Sequence, residues 1–570
     1  MKRLFAIFMA AMMMAAIVTG CAVPGQQATN SPEATEVPAV SGQPEATAAV
    51  EEPAQPKVLR LTQAEGLSSL DPSITSTVGN TIVLCGIFEG LVTAKHGEVI
   101  PGMAETWEVT EGNTVYTFHL RDAVWSDGKA VTAQDFYDTF ARIATDPRCA
   151  EHLWYADPIL NIAAISEGTK DISELGVKVL DDKTIQFTLS GPTPYFLQML
   201  THSLFLPTRS DLVAEQGEGY GIDFTKLAYN GPFTVTDWVV ENKMQLTKNP
   251  TYWRADEINF DTVEFTVVSD TNTAKNMFDN GDIDFLTLSS SVAPLYVDYP
   301  GYSEYDRGGS EWLQFSTIGQ TPETGVIMAN RNIIWALSYA IDRTALDTAL
   351  FSSNYPYTGV INPSITAYDD VKWGDFFPEA TSYHPAVADV AKAKEYLATA
   401  LTELGYASAE DMPAITLTVI DGEFYKTVGE YFQDVYQREL GIKVNVVQLQ
   451  VPQFYQLLTS GEYDITMPGW SPDWDDPDTY MSMWHSSHPN NVTGLDTSDI
   501  DALLDQIKTE PDAKARAELY KQAETLLLTK GPIIPLHMRL GAVVSSERIT
   551  GVTPEMFSPF VDYRWGDIVQ

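Results

Sequence analysis

Val115-Tyr116-Thr117-Phe118-His119-Leu120, then Trp125-Ser126-Asp127-Gly128, then Val131-Thr132-Ala133-Gln134-Asp135-Phe136: hydrophobic period changes within this one stretch. Apolar and polar residues alternate from Val115 to Leu120, which predicts a half-buried strand over Thr114 to Arg121. Thr132 with Asp135 three residues later is a cap signal, so a helix carrying Phe136 and Phe140 on one face starts there. A strand handing over to a helix this quickly predicts an α/β or α+β body.

The same mixture continues outward. Val58 to Gln63 reads as a first strand, and Val177 to Leu189 as a hairpin turning at Asp181-Asp182-Lys183. Phe233 to Val235, Gln245 to Thr247 and Val263 to Val268 supply more strands. Thr273 to Asp279 is a helix closed by Asn280-Gly281. Helices are expected at Asn332 to Leu346, Ala388 to Thr402, Thr427 to Leu440 and Ala513 to Leu528, with strands at Ile415 to Ile420, Lys443 to Gln448 and Tyr463 to Met467. No internal repeat is visible, which disfavours solenoids and propellers.

Before this body stands a different kind of sequence. Lys2 and Arg3 precede an apolar run from Leu4 to Val18, and small residues lead into Cys21, the pattern of a secretory signal peptide. Thr19-Gly20-Cys21 makes it a lipoprotein signal, with residues 1–20 removed and Cys21 acylated; an ordinary signal with an incidental cysteine is the alternative. Residues 21–56 are rich in Ala, Pro, Glu and Thr, so they read as a disordered tether. More than one acyl chain would hold such a protein stably at the extracytoplasmic membrane face.

The chain has 570 residues, 44% of them hydrophobic, enough for more than one core. A formal charge of -42 argues against nucleic acid and anionic lipid surfaces, because counterion release needs Lys and Arg. Besides Cys21 only Cys85 and Cys149 remain; whether they pair is open, because sequence does not give their separation. With no C-x-x-C there is no thiol redox or structural zinc signal.

Ile87-Phe88-Glu89-Gly90-Leu91, Ile100-Pro101-Gly102-Met103-Ala104-Glu105-Thr106-Trp107-Glu108 and the opening stretch resemble, in order, the signature of the family 5 extracellular solute-binding proteins. Leu175-Gly176-Val177-Lys178, Pro194-Tyr195-Phe196, Asn230-Gly231-Pro232-Phe233, Tyr252-Trp253, Gly281-Asp282-Ile283-Asp284, Ile341-Asp342-Arg343 and Gly469-Trp470 continue the likeness, which is greatest to the oligopeptide-binding members. The resemblance implies a two-lobed type II periplasmic-binding-protein-like fold with an extra inserted domain, hinged by two crossover segments. Lobe I would combine residues 57–88, 221–306 and 531–570; the inserted domain would cover 89–220 and lobe III 307–530, with hinges near Asp306 and Gly531.

The resemblance also implies partners and a site: short peptides as ligand and the permease subunits of an ABC importer, for a monomer that needs no cofactor. Asp473 matches the aspartate that receives a peptide's α-amino group, although Pro472-Asp473-Trp474 stands where Ala-Asp-Tyr is usual. Gly469, Trp470 and Ser471 would offer backbone to an extended ligand, as would Val78 from the other lobe. Tyr155 matches a ligand-contacting tyrosine, with Leu153 competing for the role, and Asn491 falls at a pocket position. Met467 and Tyr425 replace an arginine and a histidine that can meet a ligand carboxylate, so recognition of the C-terminus is open. An oligosaccharide or a nickel complex is the alternative ligand.

Enzyme readings have less to stand on. No H-E-x-x-H, G-x-S-x-G or G-x-x-x-x-G-K-[ST] occurs, and nothing selects the carboxylate pair that a secreted hydrolase would need. Asp473-x-Asp475-Asp476-x-Asp478 and Asp279-Asn280-Gly281-Asp282-x-Asp284 lack calcium-loop spacing and read as turns and caps.

Overall fold

Val58–Gln63 buries every second residue, and Leu59 and Leu61 on that face are almost fully covered. The strand pairs in parallel with Thr262–Val267, which continues antiparallel through Lys243–Lys248 to Phe233–Val239. This computed structural model describes residues 55–75, 77–351 and 355–569. The signal peptide, Cys21 and the tether up to residue 54 lie outside the described residues.

A second four-stranded sheet orders Ala104–Thr110, Val115–Leu120, Thr184–Thr188 and Val177–Asp181, all antiparallel. The helix Ala133–Thr145 covers it and buries Phe136, Phe140 and Ile143; Thr132 and Asp135 cap its start reciprocally, as expected. Both sheets feed a single apolar cluster running from Leu59 to Tyr563.

The residues of the sequence signature are what join them. Glu89 exchanges two backbone hydrogen bonds with the Asn230 amide, at 3.1 and 2.9 Å. Its buried carboxylate accepts from Tyr252 at 2.6 Å and Trp253 at 2.5 Å, and burial raises its pKa against those bonds. The Arg121 guanidinium lies 3.4 Å over the Trp253 ring. These positions are therefore structural.

A third, eight-stranded sheet is built on two long antiparallel strands, Tyr302–Phe315 and Ile533–Ser545. At one end Phe285–Leu288 pairs with the second of them. Towards the other end the first continues into Ile465–Thr466, which runs parallel to Ile415–Ile420, and that strand runs parallel to Val444–Leu449. The register of the long pair breaks midway: Asp306 faces Leu540 and Ser310 faces Met538, so Arg307-Gly308-Gly309 bulge opposite Arg539. Gly308 has φ +68°, and a Cβ there would fall 2.4 Å from Pro472. Two further clusters, one around Leu337 and Phe432 and one around Trp373 and Tyr520, pack beyond this break.

Some elements differ from expectation. The helix expected over 332–346 is two, Arg331–Ala340 and Arg343–Leu346, because the Asp342 side chain caps Ala345 N at 2.8 Å and starts a new one. The strand expected over 463–467 is only Ile465–Thr466. Cys85 and Cys149 are both buried free thiols.

Candidate functional site

Asp473 stands in the loop between the short strand Gly469–Trp470 and the turn of helix Asp478–Met481, and its backbone N–H is tied to Thr479 Oγ1 at 3.0 Å. Its carboxylate Oδ1 accepts from the Tyr155 hydroxyl at 3.0 Å, which joins segments 318 positions apart in sequence. Oδ2 is shielded from solvent and has no hydrogen-bond partner among the described residues. Burial raises the Asp473 carboxyl to about 7, in spite of the opposing Tyr155 bond. Desolvation, reinforced by Asp473, pushes the Tyr155 phenol far up, so it remains a donor.

The neighbouring carboxylates are committed elsewhere. Asp475 accepts from the Thr366 backbone and hydroxyl, both at 2.6 Å. Asp476 takes a bidentate pair from Arg516 at 2.6 and 2.7 Å, and Asp478 accepts from Tyr520 at 3.1 Å. The acidic run thus diverges, and among the described residues no group of three or more side chains is arranged for a metal ion.

Aromatic rings close the seam around Asp473. Trp154 stacks on Tyr155 at 3.8 Å and Tyr155 on His202 at 4.8 Å. From the same side Tyr195 lies parallel to Trp474 at 4.8 Å, and Gln198 accepts from the Asp475 N–H at 2.6 Å. Burial lowers His202 to about 3, so it stacks as a neutral ring. Trp470 lies 6.0 Å from Trp154. The indole N–H groups of Trp470 and Trp474 are shielded and have no partner among the described residues. A buried carboxylate oxygen and two buried donors therefore stand uncompensated beside one another along the chain, a costly state that a polar guest can relieve.

Gly469–Trp470 pairs with Ser310 and Glu311 along one edge, and Ser471 is exposed. Of the two competing residues it is Tyr155 that reaches Asp473; Leu153 packs against the apolar core. Asn491 braces its own turn, donating to Trp484 O at 2.7 Å and Thr497 Oγ1 at 3.3 Å. Val78 opens the helix Val78–Ile87 and lines a separate cavity of about 650 Å³ with Gln63, Phe265 and Leu288; no residue of the Asp473 loop is in that lining. A further cavity of about 520 Å³ lies beyond Trp474, between Trp154 and Tyr195 on one side and Arg516 and Tyr520 on the other. Tyr425 is half-buried and electrostatically coupled to Glu311, Arg539 and Arg307. Trp154, Gln198 and His202 carried no local signal of a site; a lone aromatic or amide in a loop reads as packing.

Comparison with known proteins gives a consistent picture. The family model described as bacterial extracellular solute-binding proteins, family 5 (middle), matches residues 98–491. The dipeptide-binding protein DppE of Bacillus subtilis is 27% identical over 516 residues, 90% of this chain and 92% of that protein. The substrate-binding domain of an oligopeptide ABC transporter from Bacillus anthracis superposes with a TM-score of 0.78 at 29% identity, covering 91% of this chain and 99% of that one. Listeria monocytogenes OppA bound to peptide gives 0.76 at 28% identity, covering 91% and 100%.

Proposed function

Because the chain belongs to the bacterial extracellular solute-binding proteins, family 5, we propose that it captures short peptides between two lobes and delivers them to an ABC importer. One observation carries the choice of ligand: the Asp473 carboxylate is out of water, with Tyr155 on one oxygen and no partner on the other among the described residues. A charge in that position is stable only when paired, and an α-ammonium is the partner of matching size and sign. The unpaired indole donors beside it suit the carbonyls of the same ligand. Gly469 to Ser471 supply backbone for strand-like pairing.

The Tyr302–Phe315 and Ile533–Ser545 strands are the crossover segments of this reading, and closure pivots on them. Ligand favours the closed form because it touches both sides of the seam, and the permease reads closure. Among the described residues no helix is long and apolar enough to cross a membrane. Cys21, once acylated, supplies the anchor, and residues 21–56 the reach above the membrane. Mass spectrometry of the mature N-terminus is expected to find a lipid-modified Cys21.

Titration calorimetry with a library of short peptides tests the ligand class, with oligosaccharides and Ni²⁺ as controls. N-acetylation of a bound peptide is expected to weaken it about 100-fold or more, since stranding a buried charge costs roughly 3 kcal/mol. Equal affinity for acetylated and free-amine peptides would refute amine capture.

A further inference from the structure

The cavity of about 520 Å³ beyond Trp474 is separate from the carboxylate that meets the amine: neither Asp473 nor Tyr155 lines it. One wall comes from residues 154–158 and 190–195, two stretches tied together where the Ser190 N–H donates to Pro158 O at 2.9 Å. Trp474, Asp478 and the stretches around Lys508 and Arg516 form the other. The walls meet tightly at Gly191, where a Cβ would fall 2.2 Å from Lys508 O. Trp154, Tyr195, Trp474 and Tyr520 make much of the lining aromatic. Trp474 is only 3% exposed, and its indole N–H has no partner among the described residues.

The positive groups of this lining are committed and two of its negative groups are not. Arg516 gives both its hydrogen bonds of 2.6 and 2.7 Å to Asp476, and the exposed Lys508 pairs with Asp505 at 3.1 Å. Burial lowers His488 to about 4, which leaves it a neutral ring. Asp478 accepts from neutral hydroxyls, Tyr520 at 3.1 Å and Tyr195, and has no ion pair of its own among the described residues. Asp157 takes no hydrogen bond and no ion pair from any described side chain. It is open to solvent, yet the protein around it raises its carboxyl to about 6 against the nearby Lys508, and Asp478 adds to the rise. Two carboxylates that repel each other thus share one void with four aromatic residues. Ring faces and unpaired carboxylates attract a cation together. Rings favour an organic cation over a hydrated metal ion, and among the described residues no group of three or more side chains is arranged for a metal.

We propose that this cavity is a second binding site, in which Asp157 and Asp478 hold an alkylammonium or guanidinium group against the aromatic walls. The cation belongs either to a free small molecule or to a side chain of the bound ligand. Because its walls are the two sides of the seam, an occupant also holds the seam shut. The inference is independent of amine capture by Asp473.

The test is calorimetry with agmatine, which carries both an ammonium and a guanidinium group, and with the peptides Lys-Ala-Ala and Ala-Ala-Ala. A site for a free cation binds agmatine, and Asp157→Asn and Asp478→Asn each weaken it about 10-fold or more. Asp473→Asn and Asp256→Asn, the latter at an exposed carboxylate outside the lining, remove the same charge and leave agmatine binding unchanged. A site for a ligand side chain shows instead as tighter binding of Lys-Ala-Ala than of Ala-Ala-Ala, a preference that Asp157→Asn removes. Asp157 is exposed, so its variant keeps the test valid if Asp478→Asn unfolds. Absence of agmatine binding together with equal affinity for the two peptides, or effects untouched by Asp157→Asn and Asp478→Asn, overturns the proposal. Failure of both peptides to bind removes peptide capture instead and leaves the agmatine measurement to decide the second site.

Discussion

Lowering the pH from 7.5 to 5 is expected to weaken peptide binding roughly 80-fold, and Asp473→Asn to abolish that dependence. With the Asp473 carboxyl raised to about 7, apparent affinity falls as one plus ten to the power of the gap between that value and the pH. The factor is about 1.3 at pH 7.5, about 11 at pH 6 and about 100 at pH 5. Above pH 8 the peptide's own α-amine, with a pKa of about 8, loses its proton, so affinity is greatest in a narrow range just above neutrality. The ligand-free protein should behave in the opposite sense. A folded-state pKa above the unfolded value of a carboxylate means that the folded form binds more protons between about pH 4 and 7. This contribution to stability is present at low pH and is lost as the pH rises through about 7. Tyr155→Phe removes the one bond that lowers Asp473, so it should move the acidic limb to higher pH. Calorimetry across pH, run in buffers of different ionisation enthalpy to count the protons released, reads each of these effects. A flat affinity from pH 5 to 7.5, or a pH dependence unchanged in Asp473→Asn, would refute the assignment.

Two perturbations away from the ligand separate scaffold from site. Glu89→Leu leaves the buried Tyr252 hydroxyl and the partly buried Trp253 indole without their acceptor, at about 1–3 kcal/mol for the buried donor. It should lower the chemical-denaturation midpoint while the protein that remains folded binds peptide as wild type does. Gly308→Ala places a side chain at φ +68° and against Pro472. About 1–2 kcal/mol of backbone strain plus the displaced Asp473 loop should lower both thermal stability and affinity, and an unchanged affinity would separate the bulge from the site.

The strands that alternate cleanly were legible in the sequence. Val58–Gln63 and Ile415–Ile420 have the bounds expected of them, and the Thr132 cap is where its spacing puts it. The two longest strands among the described residues were not. Tyr302–Phe315 is interrupted by Arg307-Gly308-Gly309, which reads as a turn, and Ile533–Ser545 holds Pro535 and Gly541, which read as breakers. Both are buried on two faces over much of their length, so no alternation survives to reveal them. Their bulge is what makes the glycines necessary, and that geometry exists only once the strands are paired.

The site divides along the same line. Asp473 and Tyr155 could be singled out by resemblance, but resemblance named them separately. Only the fold brings a carboxylate and a phenol from distant segments to 3.0 Å. Which aspartate is free to meet a guest could not be read from the run Asp473, Asp475, Asp476 and Asp478, because the answer lies in Thr366, Arg516 and Tyr520, each distant in sequence. Once those partners have taken their carboxylates, Asp473 alone of the four keeps a shielded oxygen unbound. The loop that carries it is in turn held to the bulge, through Gly308 against Pro472 and the Tyr480 hydroxyl on Gly308 O. In the proposed reading, a guest that pulls on Asp473 also pulls on the point where the long strands change register, which would couple capture to closure.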